Sequence, residues 1–226
     1  MTQQAYEQAL RDLRPRWVLG IDEVGVGAWA GPVYAAAVLV PSEFQFVGLR
    51  DSKQTTEAQR EAQYERLVSE VGSAWFWLAG RSPATIDRIG IRRTLDDMLA
   101  ELVSRARYSL APTFDPCLLV VDGDHPAVCS LPNVTQLVLP KADTFVPAVM
   151  AAANIAKVWR DRYMRSVSEE DASYAPYDFA NGKGYGTAQH QRALAEYGVT
   201  NEHRVSYRPV GRCGQTAPNL GMQILW

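Results

Sequence analysis

Apolar residues fall along this chain in two patterns, short continuous runs and longer stretches of helical period. The runs Val18–Ile21, Val33–Val40, Ser73–Ala79, Cys117–Val121 and Val134–Leu139 are brief, and each predicts a strand. Between them apolar positions recur every three or four residues. Gln4–Leu13 predicts a lead-in helix, and Thr56–Val71 a helix in which Glu57, Glu61 and Glu65 alternate with Arg60 and Arg66. Ile91–Tyr108 predicts another, built on Leu95, Met98, Leu99, Leu102 and Val103, and Ser82–Ile86 a helix start with Pro83 in its first turn. Phe145–Arg165 predicts a long helix whose first half is apolar on nearly every side. Such a helix is buried, and its alanines allow close approach to a sheet. From Ser166 the chain is polar and irregular, apart from a short helix at Ala188–Glu196.

Early strands with a short join pair antiparallel, and later strands separated by helices pair parallel. The expected class is therefore α/β, a mixed sheet flanked by helices. A length of 226 residues fits one large domain or one domain with an appendage, and 47% hydrophobic content suffices for a real core. The net charge of −2 argues against a nonspecific nucleic-acid coat, so any basic binding face must be local. Cys117, Cys129 and Cys213 share no metal-ligand spacing, and the sequence has no long apolar span or signal-like segment. The expected location is cytoplasmic, away from membranes.

Chemistry concentrates in Trp17–Val38. An apolar strand delivers two adjacent acids, Asp22 and Glu23, into a loop punctuated by Gly25, Gly27, Gly31 and Pro32. A dinucleotide fingerprint is excluded by context, because Pro32 leads into a second strand where that motif needs a helix. Asp122 also ends an apolar run before a glycine, and Asp143 lies between a strand and the long helix. In open α/β sheets sites gather at strand ends, so Asp22, Glu23, Asp122 and Asp143 can converge. Carboxylates without His or Cys partners suit Mg²⁺ or Mn²⁺, two of which would serve phosphodiester cleavage. Neighbours on a regular strand face opposite ways, so Asp22 and Glu23 share a site only if the strand ends or bulges between them. Plainer readings stand beside these: Asp143 as a helix-start acid, Asp122 as an Asp-Gly turn residue with Asp124 as competitor, Lys53 as a solvated lysine, and His125, His190 and His203 as surface or structural residues. Tyr185, held between glycines in Lys183–Thr187, suits stacking on a sugar or base.

The blocks GIDEVGVGAWAGPVYAAAV, DSK, VVDGDHP, KADTFVPAVMAAANIAKVWRDRYM and GKGYGTAQHQRAL…HRVSYRPV, in this order, resemble bacterial ribonuclease HII over Trp17 to Val210. The resemblance implies a ribonuclease H-like fold, with a catalytic domain over 1–165 and a C-terminal helical extension over 166–226 that completes the substrate groove. It implies metal-dependent hydrolysis of RNA in RNA–DNA hybrids, and cutting of duplex DNA 5′ to embedded ribonucleotides, leaving 3′-hydroxyl and 5′-phosphate ends. It places the acidic tetrad on Asp22, Glu23, Asp122 and Asp143, holding Mg²⁺ or Mn²⁺. Ribose selection falls on Tyr185 and the backbone at Gly25 and Gly27, and backbone contacts on Lys53 and Lys183. The basic half of the long helix (Lys157, Arg160, Arg162, Arg165) is a candidate phosphate-tracking face. The family usually has an arginine where this chain has Val26, and Arg side-chain bonds to phosphate are lost with it. Two alternatives stay open: an HIII-like enzyme restricted to runs of ribonucleotides, and a catalytically weak hybrid-binding protein. The last residues, Gly221–Trp226, do not fit a sliding-clamp motif, and a monomer is expected.

Overall fold

The computed structural model describes residues 2–44, 46, 48, 55–71, 76–110, 116–124, 126–127 and 134–214. Lys53, His125, Cys129 and the tail Gly221–Trp226 lie outside them. Five strands form one sheet in the order β3-β2-β1-β4-β5. These are β1 (Trp17–Val24), β2 (Val33–Pro41), β3 (Phe76–Arg81), β4 (Cys117–Asp122) and β5 (Val134–Leu139). β1, β2 and β3 pair antiparallel, whereas β4 runs parallel to β1 and β5 parallel to β4, so the sheet is mixed as expected. The helices are α1 (Thr2–Leu13), α2 (Glu57–Val71), α3 (Pro83–Ile89), α4 (Ile91–Leu110), α5 (Pro147–Glu170), α6 (Phe179–Gly182), α7 (Ala188–Tyr197) and α8 (Arg208–Gly214). α3 starts as its sequence predicts: Ser82 caps it by accepting from the Thr85 N–H, and Pro83 takes the first helical position.

The chain divides into two compact units. The first contains the sheet, α1, α2, nearly all of α4, and α5 as far as Arg160. Its core joins Val18, Val38, Val40, Leu118 and Val120 to Val146, Val149, Ala152, Ile155 and Ala156. The contact is backbone-close at Gly20, where a Cβ would lie 2.3 Å from Ala148 C and Val149 N. The alanine-rich half of α5 thus lies directly on β1, and Gly20 and Ala148 make room for it. The second unit gathers Gly27–Pro32, Ser82–Ile91 and the chain from Asp161 onward. Its own core holds Ala30, Met164, Val167, Tyr177, Phe179, Ala193, Leu194 and Val210. Ala172–Tyr177, within the stretch expected to be irregular, is a 3-10 helix capped by Asp171. No described helix is long and apolar enough to cross a membrane.

Candidate active site

Strand register brings the acids together. Ile21 pairs with Val121, so the next residues, Asp22 and Asp122, sit side by side on adjacent parallel strands, Asp122 as the last residue of β4 and Asp22 two residues before the end of β1. Asp122 in turn pairs with Leu139 at the end of β5. The chain then turns through Lys141, in the left-handed region at φ 63°, into a 3-10 helix at Ala142–Thr144 that carries Asp143. This turn is pinned to the neighbouring strand, because the Ala142 N–H donates to Asp122 Oδ1 at 2.7 Å. As a result, one carboxylate oxygen each from Asp22, Asp122 and Asp143 lies within 4.8 Å of the others. Asp143 lies in the first turn of that 3-10 helix, as its helix-start reading expects, and is also only 1% exposed beside two other acids.

Glu23 stands apart from that trio. β1 neither ends nor bulges after Asp22: Asp22 pairs with Ala36, Glu23 with Ala35 and Val24 with Tyr34. The two neighbours therefore point to opposite faces of the sheet. Glu23 lines a recess with Leu95, Asp96 and Leu99 of α4 and with Asp122 and Asp124. Asp122 belongs to both groups, and Asp124, a competitor for its role on sequence grounds, sits beside Glu23 instead.

Burial and mutual repulsion set the electrostatics. Burial raises the Asp22 carboxyl well above the usual carboxylate range, and Glu23, Asp122 and Asp143 push it further. The Glu23 N–H, donating to Asp22 Oδ1 at 2.8 Å, offsets only part of this. Glu23 is pushed up to about 7, first by burial and then by Asp122 and Asp124. Positive charge placed beside such groups favours their ionised forms. An all-oxygen donor set with no His or Cys fits a hard divalent cation.

In the second unit, three loops lock together. The N–H groups of Trp29 and Ala30 donate to the Gly184 carbonyl at 2.8 and 3.1 Å. The Gly31 N–H donates to the Glu202 carbonyl and the Arg204 N–H to the Trp29 carbonyl, both at 2.8 Å. The buried Arg204 guanidinium donates twice to the Gly31 carbonyl, at 2.9 and 2.8 Å. Gly184 has φ +72°, and a Cβ there would lie 2.4 Å from Ala30 O, so the loop accepts only glycine at this point. Tyr185 follows Gly184 and is 39% exposed, and Lys183 precedes Gly184 at φ 50°. The two candidate glycines differ in kind. Gly25 is buried in the first unit, where Arg160 Nε occupies the space a Cβ would need, 2.1 Å away. Gly27 is exposed, and a Cβ there would meet nothing within 4 Å.

The profile described as Ribonuclease HII matches residues 19–210. The chain is 39% identical to ribonuclease HII of Shouchella clausii over 206 residues, covering 91% of this chain and 73% of that protein. It is 37% identical to ribonuclease HII of Bacillus cereus, covering 91% and 74%. The chain belongs to the ribonuclease HII family. It is accordingly a ribonuclease H, an endonuclease of a divalent-metal-dependent family that acts on RNA–DNA hybrids. The fold agrees with solved structures of lower identity. Ribonuclease H2 from Pyrococcus horikoshii superposes with TM-score 0.67 at 22% identity, covering 88% of this chain and 97% of that one. Bst-RNase HIII in complex with Mn²⁺ superposes with TM-score 0.71 at 18% identity, covering 91% and 71%.

One expectation needs correction, and several residues of this chain escape local sequence patterns. Arg160 is fully buried, so it cannot belong to a phosphate-tracking face of α5; the other basic residues of that half, Lys157, Arg162 and Arg165, are partly exposed. No local feature of residues 157–165 marks Arg160 for burial beside Gly25. Asp96, lining the recess with Glu23, lay hidden among the polar positions of α4. Asp87 of α3 accepts from the Val205 and Ser206 N–H groups, each at 2.9 Å, and nothing local to Asp87 announces that bond. His190 and His203 are both buried, which selects the structural of their two readings.

Proposed function

We propose that this ribonuclease HII hydrolyses the RNA strand of RNA–DNA hybrids and cuts duplex DNA on the 5′ side of an embedded ribonucleotide, leaving 3′-hydroxyl and 5′-phosphate ends. The observation that carries this reading is the convergence of the Asp22, Asp122 and Asp143 oxygens within 4.8 Å, with Glu23 held beside Asp122. These four acids would hold Mg²⁺ or Mn²⁺, with Asp122 shared between the Asp22–Asp143 group and Glu23 on the other face of β1. A pair of such ions activates a water and stabilises the leaving oxygen of a phosphodiester. The protein's own contribution is a rigid, repulsive nest whose charge favours cation uptake.

Ribose selection is assigned to Tyr185, a partly exposed residue whose side-chain chemistry suits stacking on a sugar and hydrogen bonding to a 2′-hydroxyl. The open space at Gly27 suits close backbone approach by the same ribose. Gly25 serves by shaping the loop around Arg160, and Lys183 and Lys53 serve as phosphate contacts. The 166–226 extension thereby supplies Tyr185 and Lys183, and 1–165 the four acids and Lys53. Val26 cannot supply the charge-assisted phosphate bonds of the arginine usual at that position in this family, so single-ribonucleotide cleavage rests on Tyr185 and the loop backbone.

The test is cleavage, with Mg²⁺ and separately Mn²⁺, of a duplex carrying one ribonucleotide and of a continuous RNA strand paired to DNA. Cutting both supports the proposal. Cutting only the continuous hybrid supports the HIII-like preference instead. Binding of both without cleavage would establish the hybrid-binding alternative.

A further inference from the structure

Two histidines behind Tyr185 have no part in hydrolysis as proposed, yet every polar atom of both rings is engaged. His190 and His203 are 1% and 2% exposed. Their Nε2 atoms are 2.9 Å apart. His190 Nδ1 is 2.9 Å from the Tyr185 carbonyl, and His203 Nδ1 is 2.9 Å from the Thr200 N–H and from Thr200 Oγ1. These contacts fix the protons. A carbonyl only accepts, so His190 carries hydrogen on Nδ1. A backbone N–H only donates, so His203 Nδ1 is bare. A neutral imidazole holds one such proton, so His203 carries its own on Nε2 and donates it to the bare Nε2 of His190. The result is a one-way relay from Thr200 through His203 and His190 to the backbone of Tyr185.

The surroundings keep both rings neutral. Tyr177 and Phe179 pack on both imidazoles, and Trp29 on that of His190. Among the described residues no carboxylate hydrogen-bonds to either ring. The adjacent Glu202 is engaged by the Tyr163 hydroxyl, and Arg204 by the Gly31 carbonyl and the Tyr207 hydroxyl. An extra proton on the pair would place two N–H groups face to face. Tyr185 is held from its other side as well, since its N–H donates to the Gly182 carbonyl and its carbonyl accepts from the Thr187 N–H.

We propose that His190 and His203 are positioning residues for Tyr185, and that their relay sets the preference for a single ribonucleotide within DNA by fixing the backbone that presents the tyrosine ring. This rests on the assignment of Tyr185 to ribose selection. A continuous RNA strand offers many ribose contacts in register, whereas an isolated ribonucleotide offers one, so misplacing the ring penalises the second substrate more.

The first measurement is imidazole ¹⁵N NMR of the full chain at pH 7.5, assigned with single-histidine variants. Opposite neutral tautomers are expected, with His203 protonated on Nε2 and His190 on Nδ1. Matching tautomers, or a charged ring, would overturn the relay. The second compares cleavage of the two duplexes by His190→Phe and His190→Asn, each first checked for cooperative unfolding. Phe should lower the rate on the single-ribonucleotide duplex by about tenfold, the worth of roughly one hydrogen bond. Its effect on the continuous hybrid should stay within about threefold. Asn, whose amide can donate where Nδ1 did, should recover part of the loss. Equal loss on both substrates, no loss, or no advantage of Asn over Phe would sink the positioning role. If the parent protein fails to cut the single-ribonucleotide duplex, the ribose assignment falls with the specificity claim, and the tautomers still decide the relay.

Discussion

Glu23→Gln should make the metal-depleted protein more stable, by an amount that grows with pH. The Glu23 carboxyl titrates near 7 in the fold and 4.5 in a free chain, raised by burial and then by Asp122 and Asp124. A carboxyl raised in this way adds stability that is fully present below the unfolded value and is lost as pH rises through the folded one, because the unfolded chain ionises first. Linkage puts the cost of the glutamate, relative to a side chain that never ionises, at about 1 kcal/mol at pH 5 and about 3 kcal/mol at pH 8. The advantage of Gln should therefore widen by about 2.5 kcal/mol across that interval. Guanidinium unfolding of both proteins in EDTA at pH 5, 6.5 and 8 measures the difference, and comparing the two cancels the titration of groups common to both. Adding Mg²⁺ at pH 8 should then stabilise the parent more than the variant, since a cation bound only by the folded state raises stability with its concentration over Kd. A difference that is constant with pH, or a parent more stable than the variant in EDTA at pH 8, would refute the reasoning.

Other outcomes follow from single contacts. Asp22→Asn should lower turnover by about a thousandfold or more while leaving affinity for an RNA–DNA hybrid within a few-fold, as measured by single-turnover kinetics and titration in Ca²⁺. Loss of affinity instead would favour a binding role for the acid. Gly25→Ala, which puts a methyl into Arg160 at φ +87°, should cost about 2–4 kcal/mol in denaturant unfolding, whereas Gly27→Ala should cost less than about 1 kcal/mol and fall mainly on cleavage at a single ribonucleotide. Gly184→Ala removes the left-handed freedom at φ +72° and presses on Ala30 O, so about 2–4 kcal/mol should be lost as its two accepted hydrogen bonds weaken. His203 is driven down to about 3, first by burial and then by His190, so its contribution is present above about 6.5 and is lost as pH falls. The parent should lose about 2 kcal/mol relative to His203→Phe between pH 7.5 and 5, and parallel pH profiles of the two proteins would contradict this.

Local pattern made much of the molecule legible. The CLLVV run makes a strand and leaves Asp122 at its end; the alanines of α5 permit the backbone approach realised at Gly20; Ser82 and Pro83 start α3 where short-range capping says they should. These are effects of residues within a turn or a strand length of one another, and the sequence carries them outright. It also determined the family, because ordered blocks of glycine, acid and aromatic residues survive as a pattern without coordinates. Tertiary structure alone decided which acids meet. Whether Glu23 joins Asp22 depends on the pairing of β1 with β2, which stays in regular register through Val24 and turns the two neighbours to opposite faces. Arg160 looked like its basic neighbours until packing placed it beneath Gly25. His190 and His203, thirteen residues apart and without metal-ligand spacing, meet only because α7 and the loop after it fold back on Tyr185. The side of a sheet, the depth of a charge and the proton on an imidazole are set by partners distant in the chain, which local periodicity does not encode.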